Sequence, residues 1–305
     1  MEKLISSFAA SLDLDKTKVK QGPSKITVFG GKTEQQQDGT LSQRGTFLLT
    51  PGELVDGLVV PENFKNWNHF GIYNDLLSFE EDVCALVDTV LVFLESAGSI
   101  AEFAVFIKNR EIAPKLLVVF NGKEDEDSFI QLGLIRYLES KYPGTVPVIT
   151  SSGPGLSLEE AKFIVEESVK RIANSPKLPA FNVSNPRHWM YLIVDFIDLM
   201  QVARISDIQI FLNAVGFTQK KKRIEQLLLA LKNVGLVIET RVLSERCFSL
   251  GAATNLIEYS FRPETTAKRV SWKAKFFGET IEDRWRLYAY RQLKQVVNEE
   301  TASVA

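Results

Sequence analysis

The sequence predicts an α/β protein: a doubly wound parallel sheet followed by a mainly helical, winged helix-turn-helix domain. Three observations carry this reading. Short, continuous apolar runs alternate with helical periodicities through residues 1–175, the pattern of buried parallel strands joined by helices. Ser175 to Pro186, with prolines at 176, 179 and 186, breaks that pattern and reads as a domain boundary. Beyond it, three helical segments precede two short strands, the order of a winged helix. At 305 residues the chain is long enough for about two domains. They are expected at 1–175 and at 187–305, the latter with a C-terminal extension.

The elements follow in order. Residues 1–21 read as a short helix leading into the turn Gly22-Pro23. Ile26 to Phe29 is a buried strand, ended by Gly30-Gly31. Residues 32–52, rich in Gln, Gly and Thr, read as a surface loop or weak helix. Leu58-Val59-Val60 before Pro61 is a second strand. In 75–87, Leu76, Leu77, Val83, Leu86 and Val87 recur at helical spacing. Val90 to Leu94 is a third strand, and from Ser99 a helix carries Ile100, Phe103, Ala104 and Ile107 on one face. Lys115 to Phe120 is a fourth strand, Phe129 to Ser140 a helix and Val146 to Ile149 a fifth strand. Ser151-Ser152-Gly153-Pro154-Gly155 is loop chemistry, and 157–174 one more helix.

In the second half, Trp189 to Ala203 is a strongly apolar helix. Ser206 is the expected cap of a helix ending near Gly216. Thr218 is the expected cap of a third, which Gly235 stops after Asn233. Leu236 to Thr240 and Cys247 to Leu250 form a hairpin. Residues 255–296 read as strand or coil, then a helix from about Ile281.

Charge separates the halves. Residues 1–180 hold 18 Lys and Arg against 25 Asp and Glu, whereas 181–305 hold 18 against 13, so the second half points to an anionic partner. Two cysteines, Cys84 and Cys247, imply no disulfide framework and fit a reducing cytoplasm. Two histidines, His69 and His188, have no second ligand at metal spacing, so neither a metal nor a cofactor is expected. The first 15 residues lack the features of a signal peptide, and no apolar run is long enough for a membrane span.

The chemistry concentrates in Glu95-Ser96-Ala97-Gly98-Ser99-Ile100-Ala101-Glu102, which follows a central strand and opens a helix. Ligands of open α/β sheets bind outside the carboxyl ends of strands. Gly98 and Ser99 there offer N–H groups and a hydroxyl to an anion or sugar. Glu102, one turn in, is placed to attack an anomeric carbon or to stabilise an oxocarbenium ion. Asp75 is a second carboxylate and Glu95 a third; glycosidase pairs stand about 5 Å apart in retaining chemistry. The same residues also suit plain helix caps and a favourable helix dipole.

Asn74-Asp75, the helix and strand that follow, and Gly98-Ser99-Ile100-Ala101-Glu102 together resemble the nucleoside 2-deoxyribosyltransferases. The resemblance implies Glu102 as nucleophile and Asp75 as its partner. That family usually carries an aspartate just before the Gly-Ser turn, where this chain has Ser96 and Ala97 with Glu95 as a substitute; the departure favours hydrolysis of an N-glycoside over transfer. Leu76-Leu77-Ser78-Phe79-Glu80, Phe93 to Ser99, and Ser128-Phe129-Ile130 with Gly133 and Arg136 look like the effector proteins of retrons, over most of the chain. That resemblance implies an anti-phage toxin that cleaves an N-glycosidic bond in a nucleotide, nucleoside or NAD. Its implied partners are a reverse transcriptase and the branched RNA–DNA hybrid it makes, and the transferase resemblance implies sites completed across subunits of a homo-oligomer. Gly30, Gly31, Gly98, Ser99, Phe129 and Arg136 are the candidate substrate contacts, Phe129 by stacking and Arg136, with Arg44, through phosphates.

Gln219-Lys220-Lys221-Lys222-Arg223 opens the third helix of the second domain, the recognition position of a helix-turn-helix, and suits phosphate contacts. Lys268, Arg269, Lys273 and Lys275, interleaved with Trp272 and Phe276, suit single-stranded or branched nucleic acid. A solvated face or a protein dock fits these charges as well. Two other functions stay open on residues alone: a transcription regulator that senses a nucleotide without catalysis, and a structural subunit.

Overall fold

The computed structural model describes residues 1–33, 40–50, 57–67, 71–120, 127–143, 148–151, 155–175, 177–251 and 255–293. His69, Val146, Ser152-Gly153-Pro154, Pro176 and part of the 32–52 loop lie outside the described residues.

In chain order the elements are α1 (Glu2–Ser11), β1 (Lys18–Val19), β2 (Ile26–Phe29), α2 (Gln43–Leu48), β3 (Leu58–Val59), α3 (Leu76–Leu86), β4 (Thr89–Phe93), α4 (Ala97–Phe106), β5 (Leu116–Phe120), a π-helical turn (Ile130–Ile135) running into α5 (Arg136–Lys141), β6 (Val148–Thr150) and α6 (Leu158–Asn174). Then come α7 (Pro186–Met200), β7 (Ala203–Arg204), α8 (Ile205–Ala214), α9 (Lys221–Asn233), β8 (Val237–Val242), β9 (Glu245–Leu250), β10 (Ile257–Glu258) and α10 (Arg269–Glu282), and residues 284–293 are again helical.

The chain forms two compact units. One comprises Ser24–Asn66 and Asp75–Ser175; the other comprises Met1–Pro23, Trp67–Asn74 and Pro176–Ala305. The first unit is built on a five-stranded sheet in the order β3-β2-β4-β5-β6, every pair parallel. β2, β4 and β5 are buried along their whole length because helices cover both faces. Ile26, Val28, Leu91, Phe93, Leu117 and Val119 pack on one face against Phe47 of α2 and Ala161 and Ile164 of α6. On the opposite face, Phe29 meets Phe106 of α4 edge-on, with ring centres 5.0 Å apart. From β2 the chain moves outward to β3, then crosses back over β2 to β4 and runs outward the other way through β5 and β6. In open α/β sheets such a reversal marks the place for a ligand, here beyond the carboxyl ends of β2 and β4.

The second unit draws both ends of the chain together. β1 pairs antiparallel with β10, Lys18 opposite Glu258. Phe8 of α1 sits among the rings of Phe211, Tyr259, Trp272 and Phe276, with centres 5.4–5.7 Å away. This aromatic cluster explains why residues 1–23, read in sequence with the sheet, fold with the C-terminal half. α7, β7, α8, α9 and the β8–β9 hairpin follow in order, with a sheet ordered β7-β9-β8.

Two expected caps shift. α8 starts at Ile205 rather than after Ser206, because the Asp207 carboxylate accepts the Arg204 N–H at 2.8 Å. α9 starts at Lys221 rather than after Thr218, because Phe217 is held in the loop by stacking on Trp189 with ring centres 3.9 Å apart. The stretch read as strand or coil contains α10, whose Trp272, Phe276 and Thr280 are buried at helical spacing.

Candidate functional site

Four segments of the sheet unit are linked beyond the carboxyl edge of the sheet. Gly30-Gly31 follows β2, Leu94-Glu95-Ser96 follows β4, Gln43-Arg44 opens α2, and Pro61-Glu62-Asn63 forms a 3-10 turn after β3. Glu95 ties three of them together. Its Oε1 accepts the N–H of Gly31 at 2.8 Å and of Arg44 at 3.0 Å, and its Oε2 accepts the N–H of Gln43 at 2.6 Å. With both oxygens committed to backbone donors, Glu95 anchors loops rather than facing a substrate. Gly30 and Gly31 owe their place to the same packing. A Cβ on Gly30 would stand 2.8 Å from Cβ of Arg44, and one on Gly31 would stand 2.9 Å from Cβ of Ser42.

Ser96 caps α4: its Oγ accepts the Ser99 N–H at 3.1 Å, while Ser99 Oγ accepts the Ser96 N–H at 3.2 Å. The buried Ser99 hydroxyl is therefore spent on the cap, whereas Gly98 is exposed, with nothing closer to its missing Cβ than Ser96 Oγ at 3.8 Å.

Glu102, in the second turn of α4, is half-buried. Burial pushes its carboxyl above the usual range, Glu62 pushes the same way, and Arg44 opposes them. Sequence reasoning missed its electrostatic partner, Glu80 on α3. Glu80 is only 4% exposed. Its carboxyl is pushed up to about 8, chiefly by burial and then by Glu102 and Glu62. The local cation is Arg44, 2% exposed, whose Nη1 meets Glu62 Oε1 at 2.5 Å. The signal for Glu80 was its spacing: it lies three residues before Val83 and four before Cys84, which places it on a face that buries apolar side chains, a costly place for a carboxyl.

Asp75 takes the helix-cap position that the sequence also allowed. It is exposed and caps α3, accepting the Ser78 N–H at 2.7 Å and the Ser78 hydroxyl at 3.1 Å, bonds that hold its carboxyl below the usual range. Asn74, its neighbour in sequence, accepts from Lys222 Nζ at 2.7 Å within the other unit.

Phe129 is 76% exposed, and its ring lies over Gly133, where an added Cβ would be 2.7 Å from Cε2. This places an open aromatic face on the π-helical turn after β5, a type of irregularity frequent at functional sites. Arg136 is exposed and makes no ion pair among the described residues.

The basic residues of the second unit divide into two groups. Lys220 and Lys221 are exposed at the start of α9, where no side chain caps the helix, and Gln219 is half-buried beside them. Lys222 is engaged by Asn74, and Arg223 Nη1 reaches Gln226 at 3.3 Å. The second stretch differs from the expectation. Arg269 binds the buried Asp195 at 3.0 Å and Asp198 at 2.6 Å, and Lys273 binds Asp198 at 2.8 Å. Their charge neutralises α7, and Trp272 and Phe276 are core rings. Lys268 is the exposed N-cap residue of α10, and Lys275 lies 4.5 Å over the Trp272 ring. Among the described residues, no group of three or more His, Cys, Asp or Glu side chains is arranged to hold a metal. Nor is any helix long and apolar enough to cross a membrane.

Residues 46–239, well over half of the chain, match the family described as STM3845 retron effector protein. An Escherichia coli protein provisionally named as the ribosyltransferase/DNA-binding protein of retron Ec86 is 30% identical over 124 residues, 37% of this chain and 38% of that protein. The match thus spans well under half of that relative's length.

Proposed function

The chain belongs to the STM3845 retron effector family, and on that premise we propose that it is an anti-phage toxin that hydrolyses an N-glycosidic bond in a nucleotide, nucleoside or NAD. The observation that carries this reading is the half-buried carboxyl of Glu102 beside a buried, proton-holding Glu80, at the carboxyl edge of the parallel sheet. Glu102 acts as nucleophile. Its oxygen bonds to the anomeric carbon as the C–N bond breaks, and the electron pair leaves with the base. Glu80, pushed up to about 8, holds its proton at neutral pH and gives it to a leaving purine or pyrimidine; a nicotinamide leaves neutral and takes none. Water then displaces the sugar from Glu102; after a purine or pyrimidine has left, the ionised Glu80 accepts the proton of that water, and after nicotinamide, with Glu80 still protonated, the proton passes to solvent. Phe129 offers its open ring to the base, and Arg136 its guanidinium to a phosphate. Asp75 orders the start of the Glu80 helix.

The 2-1-3-4-5 order within this sheet supports a deoxyribosyltransferase-like fold, and the α7-β7-α8-α9-β8-β9 order supports a winged helix. A relative named for both ribosyl transfer and DNA binding supports the same pairing of roles. In this reading a reverse transcriptase and its branched RNA–DNA hybrid restrain the toxin, with Lys220 and Lys221 of α9 on the phosphate backbone.

The test is to incubate the purified protein, with and without the reverse transcriptase and hybrid, with a panel of nucleotides and NAD, and to follow released base by chromatography. The reading expects release by the free protein, suppression in the complex and loss in Glu102→Gln. Undiminished release by Glu102→Gln would refute it.

A further inference from the structure

Glu95 was expected among the catalytic carboxylates, yet its geometry assigns it a different task. Its two oxygens take three backbone N–H groups at 2.6–3.0 Å, from a loop after β2 and from the first two residues of α2. The second of those residues is Arg44, the cation beside the acidic cluster. The Arg44 side chain is almost fully buried, and its own polar contacts are few: Nη1 meets Glu62 at 2.5 Å and the Gly30 carbonyl at 3.4 Å, while Nε has no partner among the described residues. Its placement therefore rests on the backbone that carries it and on the close approach of Gly30, which leaves no room for a side chain there.

We propose that Glu95 is a positioning residue: by clamping Gly31, Gln43 and Arg44, it holds the Arg44 guanidinium where it offsets the negative charge around Glu102. This inference rests on the reading of Glu102 as nucleophile. A nucleophilic carboxylate must be ionised, and both burial and Glu62 of the 3-10 turn oppose the ionisation of Glu102. Glu80 and the buried thiol of Cys84, both on α3, are further titratable groups within reach of Glu102, and among the described residues Arg44 from α2 is the positive charge that acts on Glu102. Loosening the clamp lets α2 shift, Arg44 moves off, and Glu102 holds its proton to higher pH.

The test titrates Glu102 directly, by carbon NMR of selectively labelled glutamate carboxyls, with the resonance assigned through Glu102→Gln. The clamp predicts that Glu95→Gln, which turns an acceptor oxygen into a donor facing backbone N–H groups, raises the Glu102 midpoint by about half a pH unit or more. Arg44→Met raises it similarly, and combining the two adds nothing further. The acid limb of the base-release profile moves in step. A Glu102 midpoint unchanged in Glu95→Gln, or shifts that add in the double variant, overturns the proposal. Should Glu95→Gln fail to fold, Glu95→Asp serves, because a shortened carboxylate leaves the clamp slack and is expected to give a smaller upward shift. Base release that is absent, or independent of Glu102, removes the glycosidase reading instead, and the titration still decides whether the clamp sets the charge at Glu102.

Discussion

The carboxylate of Glu102 on α4 lies within electrostatic reach of the buried carboxyl of Glu80 on α3 and, after burial itself, is the largest influence raising its proton affinity. Glu80 carries the larger consequence. Its folded-state midpoint, about 8, is above the 4.5 of an ordinary glutamate, so the native state holds this proton more tightly than the unfolded chain does. Its contribution to stability is full below pH 4.5 and is lost as pH rises toward about 8. Replacing it with neutral Gln removes that slope. Between pH 5 and 8 the wild type is expected to lose on the order of 3 kcal/mol more than Glu80→Gln, as read by urea unfolding. Parallel curves for the two proteins would show that Glu80 ionises freely.

Gly133 makes a second, independent case. A helical Gly→Ala change ordinarily stabilises by up to about 1 kcal/mol. Here the new Cβ meets the Phe129 ring at 2.7 Å and must push it away. Gly133→Ala is therefore expected to gain little alone and to gain about 1 kcal/mol in a Phe129→Ala background. A double-mutant cycle by thermal unfolding checks this; a coupling energy of zero would mean that the ring does not rest on Gly133.

The two basic stretches are expected to behave oppositely. Arg269→Ala removes the ion-pair partner of the buried Asp195, leaves Asp198 with Lys273 alone, and should cost about 3–5 kcal/mol of stability. The joint change of Lys220 and Lys221 to Ala touches only exposed side chains and should leave stability within about 0.5 kcal/mol. It should weaken binding to a branched RNA–DNA hybrid and flatten the salt dependence by roughly one unit of slope per lysine. Binding that ignores the lysine change would remove α9 from the interface.

These contrasts show which features could be read from the sequence. The strands of the sheet were legible because β2, β4 and β5 are buried on both faces and so appear as unbroken apolar runs. The segment from Glu95 to Glu102 was legible because small and polar residues directly after such a run mark a strand's carboxyl end, although Gly98 and Ser99 lie in the first turn of α4 and not in a turn before it. Three features were not. Residues 1–23 return to the C-terminal half through Phe8 and the β1–β10 pair, contacts between residues some 240 positions apart that leave no local pattern. Arg269 and Lys273 look like a nucleic-acid patch until Asp195 and Asp198, hidden within an apolar helix, are seen to claim them. Glu95 and Glu80 look alike as acidic letters, and only the hydrogen bonds of the one and the burial of the other separate an anchor from a proton store. α10 was within reach, since Trp272, Phe276 and Thr280 recur every four residues.

The central claim is that Glu102 forms a covalent bond with the sugar. The most direct measurement is peptide mass spectrometry of the protein quenched by acid during turnover of a substrate from the active panel. The account predicts a peptide containing Glu102 heavier by the mass of the sugar fragment, an adduct missing from Glu102→Gln. Steady base release with an adduct on a different residue, or with none at any quench time, would contradict it.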